Sequence, residues 1–273
     1  MKLGFSSNAF TNTNLYDAVE TISEIGYDGI EIVLDFPHAF LPLENIEINN
    51  IKKSLKNNHL NVTNLNSNTV SGFNSIENQF EPSLSNKNEK LRNWRISYTK
   101  QSIDLAFLID APSVCITSGL YSPERFNIEY QYFKNSLMIL GEYAEQKNIR
   151  LAIEYEPGLM IENSNDVWKI ISEDFKNIGL NLDTCHAAVL GEDIPEIIEK
   201  FEKKIFHTHI SDCKNKTHFH LIPGLGEINF KEMFDSLKKI KYDGFLTAEL
   251  YPYFENPNDA ASNAFIYLKN LIK

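Results

Sequence analysis

The chain has 273 residues, 42% of them hydrophobic, and a formal net charge of −11 at pH 7. This length and apolar content suit one domain with a sizeable core. The acidic balance argues against an extensive nucleic-acid footprint, because affinity for phosphate backbones comes from clustered Lys and Arg. We therefore expect no nucleic-acid partner.

The sequence also gives an expectation for the cellular compartment of the protein. It contains no run of about 18 apolar residues that would span a bilayer. The N-terminal residues enter a strand-like run without the apolar stretch and cleavage site of a signal peptide. The sequence has only three cysteines, Cys115, Cys185 and Cys213, and this small, odd number does not suit a disulfide framework. We expect a cytoplasmic protein without membrane association.

Short apolar runs alternate with segments of helical periodicity along the whole chain. Strands are predicted at 3–6, 28–33, 60–65, 113–117, 150–154, 179–183, 205–210 and 245–249, and helices at 15–25, 44–57, 87–109, 128–147, 163–174, 193–203, 229–240 and 257–271. The polar segment 66–86 is predicted to be a long loop, of the kind that forms lids or is disordered.

Eight strand–helix units without an intervening linker predict an α/β fold, a (β/α)8 TIM barrel with a single domain over residues 1–273. An open doubly wound sheet is the alternative. That fold normally has a glycine-rich phosphate turn after its first strand, and residues 6–10 are not such a turn.

Four polar side chains end four consecutive predicted strands. They are Glu154, Asp183, His209 and Glu249, on strands five to eight. Because the carboxyl ends of barrel strands share one mouth, we expect three carboxylates and one imidazole to converge there. Repulsion among the carboxylates would be costly without a cation, so the pattern favours a divalent metal. Oxygen-rich ligation with one nitrogen suits Mn2+, Mg2+ or Co2+, and Zn2+ and Fe2+ remain open.

A single carboxylate at a strand end has a simpler explanation as a helix cap or a loop ion pair. Four in register on consecutive strands are harder to explain in that way. His207 shares a strand face with His209, since side chains alternate along a strand. His209 lies nearer the carboxyl end, so we take it as the ligand and His207 as a residue packed behind it.

Three further histidines are candidates for a second metal or for substrate binding. His186 follows Asp183 by three residues at a strand-to-helix turn, and His218 and His220 lie in the segment after the seventh strand. Three imidazoles suit an ion such as zinc. Hydrogen bonds from these rings to substrate hydroxyls, or a helix-start hydrogen bond for His186, are the alternatives.

Five motifs together resemble the xylose isomerase-like TIM barrel superfamily, which holds sugar isomerases and epimerases, inosose dehydratases and endonucleases of the endonuclease IV type. The motifs are Leu-Ala-Ile-Glu-Tyr-Glu-Pro-Gly at 151–158, Asp-Thr-Cys-His at 183–186, His-Thr-His-Ile-Ser-Asp at 207–212, Pro-Gly-Leu-Gly-Glu-Ile-Asn-Phe at 223–230 and Tyr-Asp-Gly-Phe-Leu-Thr-Ala-Glu at 242–249. The segment Gly-Tyr-Asp-Gly-Ile-Glu at 26–31 extends the resemblance over nearly the whole chain.

The resemblance implies a reaction as well as a fold. In the epimerase-like members, the metal ligands correspond to Glu154, Asp183, His209 and Glu249. Glu154 and Glu249 would also be the catalytic acid and base on opposite faces of the substrate. Moving a proton next to a carbonyl needs carboxylates on both sides, while the metal stabilises an enediolate. The resemblance therefore implies a metal-dependent isomerase or epimerase acting on a sugar, keto sugar or cyclitol.

The endonuclease branch is a competing interpretation. Its trinuclear zinc site also uses histidines at the ends of strands three and four. This sequence has no histidine there, since these ends are Asn64 to Asn66 and Thr117 to Ser118. The three further histidines could still hold metal, so a two- or three-metal hydrolase or lyase remains an alternative. A non-catalytic sugar-binding barrel is another.

The front loops offer candidate substrate contacts. Glu156, His38 and Asn66 are the predicted substrate-binding residues, with Phe10 and Tyr251 as aromatic candidates. The cations near the mouth are few, namely Arg125, Lys214 and Lys216, so an unphosphorylated sugar is slightly favoured over a sugar phosphate. Association into a homo-oligomer is left open.

Overall fold

The structure is a computed structural model that describes residues 1–68, 80–172 and 175–272. The strands are β1 Lys2–Ser6, β2 Gly29–Val33, β3 Asn61–Asn66, β4 Ser113–Ile116, β5 Arg150–Glu154, β6 Ile178–Asp183, β7 Ile205–Ile210, β8 Asp212–Lys214, β9 Thr217–Leu221 and β10 Phe245–Ala248. The helices are α1 Leu15–Ile25, α2 Asn45–Asn57, α3 Glu89–Leu108, α4 Phe126–Glu145, α5 Ser164–Ile171, α6 Thr184–Leu190, α7 Ile194–Phe201, α8 Phe230–Lys239 and α9 Pro257–Leu271.

Eight of these strands close into a barrel. Their order around it is β1, β10, β7, β6, β5, β4, β3, β2, and every neighbouring pair is parallel. The helices between the strands cover the outside, so the barrel strands are buried on both faces. The predicted (β/α)8 TIM barrel is confirmed, and closure rules out the open doubly wound sheet.

The first helix illustrates how local sequence sets the element boundaries. The Oδ1 atom of Asn14 accepts hydrogen bonds from the backbone N–H groups of Tyr16 and Asp17, at 2.9 and 3.0 Å, and so caps the start of α1. Gly26 ends the helix with φ of 108°, a left-handed conformation that glycine adopts without steric cost. The buried face of α1 carries Leu15, Ala18, Val19 and Ile22.

Most predicted helix ends agree with the structure to within two residues. The predicted helix 163–174 is shorter, since α5 ends at Ile171, and residues 173–174 lie outside the described residues. Residues 69–79 of the predicted loop 66–86 also lie outside them. Helix α6 and the β8–β9 hairpin were not predicted, because they are too short for a periodic pattern.

Two further properties concern the whole described chain. Cys115, Cys185 and Cys213 are buried free thiols. None of the helices in residues 1–68, 80–172 and 175–272 combines the length and apolar character needed to cross a membrane.

Candidate metal and substrate site

The four strand-end residues Glu154, Asp183, His209 and Glu249 meet at the carboxyl end of the barrel. Each offers one ligand atom, and these four atoms lie within 4.8 Å of one another. All four side chains are buried. In the strand register Asp183 pairs with His209, and Glu249 follows the last residue of β10. Barrel closure therefore brings together the donor set that the sequence predicts.

His209 lies at the centre of this cluster. Its Nδ1 atom is 2.6 Å from Oε1 of Glu154 and 3.5 Å from Oε2 of Glu249. Its Nε2 atom is 2.8 Å from Oε2 of Glu31. Although burial lowers the pKa of His209, the carboxylates of Glu249, Glu31 and Glu154 outweigh this effect and hold that pKa well above its usual value. Without a metal, an imidazolium thus balances the surrounding negative charge.

Asp183 both caps a helix and contributes to the cluster. Its Oδ1 atom accepts a hydrogen bond of 2.9 Å from the backbone N–H of His186, at the start of α6. Its Oδ2 atom is buried and has no hydrogen-bond partner in the part of the chain that the structure describes. Burial raises the pKa of Asp183, but the imidazoles of His186, His220 and His209 outweigh this and lower it to about 2.

These observations test whether a divalent cation fits. A buried oxygen without a partner is costly, and Oδ2 of Asp183 is such an oxygen on a residue that contributes one of the four ligand atoms. Three carboxylates and an imidazole nitrogen are a donor set that divalent ions bind. The residues present therefore fit a metal ion.

The sequence did not single out two polar residues that contact this cluster. Glu31 lies on β2 and contacts His209 from across the barrel. The Nδ2 atom of Asn181 lies 3.1 Å from Oε1 of Glu154 and 3.3 Å from Sγ of Cys115. The sequence could have revealed Glu31, because a charged residue inside the apolar run of β2 is unusual. It could also have revealed Asn181, because this polar residue lies two positions before Asp183 and so on the same face of the strand.

The three further histidines form a second cluster beside the first. The ring centroids of His186 and His218 are 4.8 Å apart, and those of His186 and His220 are 5.3 Å apart. One nitrogen from each ring lies within 4.8 Å of the other two. Nδ1 of His186 is 2.9 Å from the carbonyl oxygen of Tyr155, so it donates there and leaves Nε2 as an acceptor. Among the described residues, Nε2 of His218 and of His220 has no hydrogen-bond partner.

His218 and His220 differ in charge because their surroundings differ. Burial, reinforced by His186 and His220, lowers the pKa of His218 to about 4. Burial also lowers the pKa of His220, but Asp183 and Glu249 outweigh it and raise that pKa to about 9. One ring of the pair is therefore neutral and the other positively charged at neutral pH.

The β8–β9 hairpin that carries His218 and His220 is held by one carboxylate. Oδ2 of Asp212 accepts hydrogen bonds of 2.9 Å from the backbone N–H groups of Gly224 and Gly226. Its Oδ1 atom accepts from the backbone N–H groups of Cys213 and Ile228, at 2.9 and 3.0 Å. Three of these four bonds join the first strand of the hairpin to the segment that follows it, so Asp212 holds the two together.

The mouth encloses a volume of about 330 Å³. It is lined by Asn8, Thr11, Val33, Asp35, Phe36, Asn66, Asn68, Phe80, Glu154, Glu156, His186, His218, His220, Glu249 and Tyr251. The predicted substrate residues Glu156 and Asn66 and the aromatic Tyr251 thus line the mouth. His38 does not line it, and its Nε2 atom lies 3.2 Å from the carbonyl oxygen of Phe10. Phe10 is itself buried.

Four carboxyl groups line the mouth, those of Asp35, Glu154, Glu156 and Glu249. Among the described lining residues there is no Lys or Arg, so Arg125, Lys214 and Lys216 do not reach it. Burial, reinforced by the carboxylates of Glu154 and Glu249, raises the pKa of Glu156 to about 8. Among the described lining residues, the cavity therefore offers a phosphate group no Lys or Arg, and His220 is its one positively charged side chain.

Comparisons with known proteins agree with this geometry. The sequence profile of the xylose isomerase-like TIM barrel family matches residues 19–271. The chain is 27% identical over 265 residues to fructoselysine 3-epimerase of Shigella flexneri, covering 94% of this chain and 92% of that protein. It is 26% identical over 161 residues to inosose dehydratase of Clostridium perfringens, covering 52% of this chain and 54% of that protein.

The fold comparison leads to the same group. The crystal structure of the IOLI protein with a bound zinc atom superposes with a TM-score of 0.83 and 22% identity, covering 100% of this chain and 98% of that one. The similarity of fold thus extends over the whole barrel. The match of the family profile over nearly the whole chain shows that this protein belongs to the xylose isomerase-like TIM barrel family.

Proposed function

We propose that the protein is a divalent-metal-dependent isomerase or epimerase of a sugar, keto sugar or cyclitol. One observation carries the proposal. Glu154 and Glu249 reach the same cluster from β5 and from the end of β10, strands that β6 and β7 separate in the barrel. Two carboxylates that approach one point from different sides suit removal of a proton from carbon and its return elsewhere.

The chain's own residues would divide the work as follows. One glutamate takes the proton from a carbon next to a carbonyl, and the other returns a proton to the opposite face or to the neighbouring carbon. Glu249 is oriented by Asn8, whose Nδ2 donates to its Oε1 at 2.9 Å. Asn181 orients Glu154 in the same way, at 3.1 Å. The bound ion would stabilise the negative charge that develops on the substrate oxygen.

The donor set supports a metal at Glu154, Asp183, His209 and Glu249. Three oxygen ligands and one nitrogen favour Mn2+, Mg2+ or Co2+ over softer ions. The zinc atom in the similar IOLI structure supports a cation in this family's barrel and keeps Zn2+ open. The same set of three oxygens and one nitrogen can also bind Fe2+.

Two observations support an unphosphorylated sugar-like substrate. The mouth has no Lys or Arg among its described lining residues, and Asp35 adds a carboxylate to it. A relative that matches over 94% of the chain is a fructoselysine 3-epimerase. Glu156, Asn66 and Tyr251 are the proposed substrate contacts.

Solvent deuterium tests the reaction directly. Turnover of keto sugars and fructosamines in D2O by metal-loaded protein should introduce deuterium at the reacting carbon, as detected by proton NMR. A genuine substrate whose carbon stays fully protonated, with internal transfer excluded by tritium tracing, would overturn the proposed proton transfer.

A two-metal hydrolase or lyase is the second candidate, favoured by the cluster of His186, His218 and His220. The partial match to an inosose dehydratase supports lyase chemistry in a relative. Metal content per chain, measured by plasma mass spectrometry on protein purified without chelator, separates the candidates. About one ion per chain supports the epimerase, and two or more zincs support the alternative.

The third candidate function is a non-catalytic sugar-binding barrel. It predicts that the parent protein shows no turnover and that ligand binding survives the double substitution Glu154→Gln and Glu249→Gln.

A further inference from the structure

Glu31 is a buried carboxylate in the barrel interior, behind the proposed metal ligands. It lies on β2 with 0% of its surface exposed. Its Oε1 atom accepts a hydrogen bond of 2.6 Å from the hydroxyl of Ser6, and its Oε2 atom accepts one of 2.7 Å from Nδ2 of Asn64. Ser6 and Asn64 pair with Glu31 on the two adjacent strands, β1 and β3.

These two partners do not by themselves explain a carboxylate at this depth. Barrel interiors are usually filled by branched apolar side chains. A buried charge costs free energy unless it is paired and hydrogen-bonded. The charge-bearing partner of Glu31 is His209, which lies on β7 on the other side of the barrel, with Nε2 2.8 Å from Oε2. Nε2 of His207 lies 3.4 Å from the same oxygen.

The contact with Glu31 determines which nitrogen of His209 faces the site. Glu154 and Glu249 both approach Nδ1, so this is the nitrogen on the side of the proposed ion. Nε2 points away from it, toward Glu31. A ring that donates Nε2–H to a carboxylate keeps the lone pair of Nδ1 free for a cation.

We propose that Glu31 is the positioning residue of the site: it fixes the ring orientation and the Nε2–H tautomer of His209, so that Nδ1 is presented to the metal. This inference rests on the proposed function, since it assumes that His209 is a metal ligand. Glu31 does not line the mouth, and it contacts His209 at Nε2 rather than at Nδ1, the nitrogen that Glu154 and Glu249 approach. Its effect is transmitted through His209.

The test compares Glu31→Gln with a matched interior variant, Thr63→Val. Glutamine keeps an acceptor oxygen but removes the charge, and charge-assisted hydrogen bonds are roughly twice as strong as neutral ones. Thr63 is equally buried in the barrel, and its hydroxyl bonds at 3.2 Å to Thr247 rather than to a site residue. Metal affinity is measured by calorimetric titration of the chelator-treated full chain with Mn2+ and Zn2+, with thermal denaturation to confirm folding.

Glu31→Gln should weaken metal binding by about 10- to 100-fold, the usual effect of losing a partner of a ligating histidine. Thr63→Val should keep the parent affinity. A folded Glu31→Gln protein with parent affinity would overturn the inference while leaving the metal site intact. Failure of the parent itself to bind metal would instead overturn the proposed function.

A second measurement covers the case in which Glu31→Gln does not fold. Nitrogen-15 NMR of the zinc-loaded parent, labelled at histidine, reports which ring nitrogen carries the proton. We expect the His209 signals, assigned by comparison with a His207→Gln protein, to show protonated Nε2 and metal-bound Nδ1. The opposite assignment, with Nδ1 protonated, would refute the role of Glu31.

Discussion

Nδ1 of His220 lies 3.2 Å from Oε2 of Glu249, so an imidazole of the β8–β9 hairpin contacts a carboxylate of the barrel. The carboxylates of Asp183 and Glu249 raise the pKa of His220 to about 9 against the effect of burial. The hairpin therefore supplies positive charge beside one member of the proposed acid–base pair. This contact makes the hairpin part of the site rather than a cover over it.

Replacing His220 by Asn tests the importance of this charge. We expect kcat/KM to fall by about 10- to 100-fold, since hydrogen bonds to charged groups contribute about 1.5–3 kcal/mol. Metal content should not change if the imidazoles bind substrate, and should fall by one ion per chain if they hold a second metal. His59→Asn is the control, because His59 is exposed and has φ of 53°, a conformation that Asn tolerates. Steady-state kinetics with elemental analysis of the same samples measures both quantities.

The two glutamates should be more sensitive than His220. Glu154→Gln and Glu249→Gln, made separately, should each lower kcat by about 10²- to 10⁴-fold, the usual contribution of a general acid or base. The variant that lacks the base should also lose deuterium exchange from D2O. Glu24→Gln, an exposed position on α1, is the control for loss of one carboxylate. Either site variant retaining activity within tenfold of the parent would exclude that residue from the proton transfer.

Part of the fold and of the site could be predicted because their signals are local. Asn14 and Gly26 mark the ends of α1 through hydrogen bonds and backbone conformation within a few residues. Glu154 and His209 stand at the ends of apolar strands, and parallel barrel topology brings such ends together. The sequence therefore predicted both the barrel and the four converging donors.

What the sequence did not predict depends on closure of the barrel. Glu31 and His209 are 178 residues apart, on strands that do not pair, so their contact exists only once the barrel is closed. His38, a predicted substrate contact, does not line the mouth, and the loop after β2 turns its ring toward the backbone of Phe10. No periodic pattern reports such loop geometry.

Asp212 should matter for stability as well as for activity. Its two oxygens accept four backbone hydrogen bonds around the hairpin, and Asp212→Asn would turn one oxygen into a donor that faces other donors. We expect a loss of about 2–4 kcal/mol in the free energy of unfolding, because unsatisfied buried groups cost about 1–3 kcal/mol each. Asp193→Asn, at the N-cap of α7, should cost less than about 1 kcal/mol, since Asn also caps helices. Equal losses for the two variants in urea unfolding would contradict the role assigned to Asp212.

Glu156 should make the stability of the metal-free protein depend on pH. Burial raises its folded-state pKa to about 8 from an ordinary value of 4.5, so between these pH values the folded chain holds a proton that the unfolded chain has lost. The free energy of unfolding should therefore fall as pH rises from 4.5 to 8, by at most about 1.4 kcal/mol per pH unit. Because 16% of the side chain is exposed, the observed slope should be smaller than this limit.

Urea unfolding of the chelator-treated parent and of Glu156→Gln at pH 5, 6, 7 and 8 isolates the effect of Glu156, since the contributions of other groups cancel in the difference. The stability of the parent relative to the variant should decrease steadily across this range, whereas parallel curves would show that Glu156 ionises normally in the folded protein.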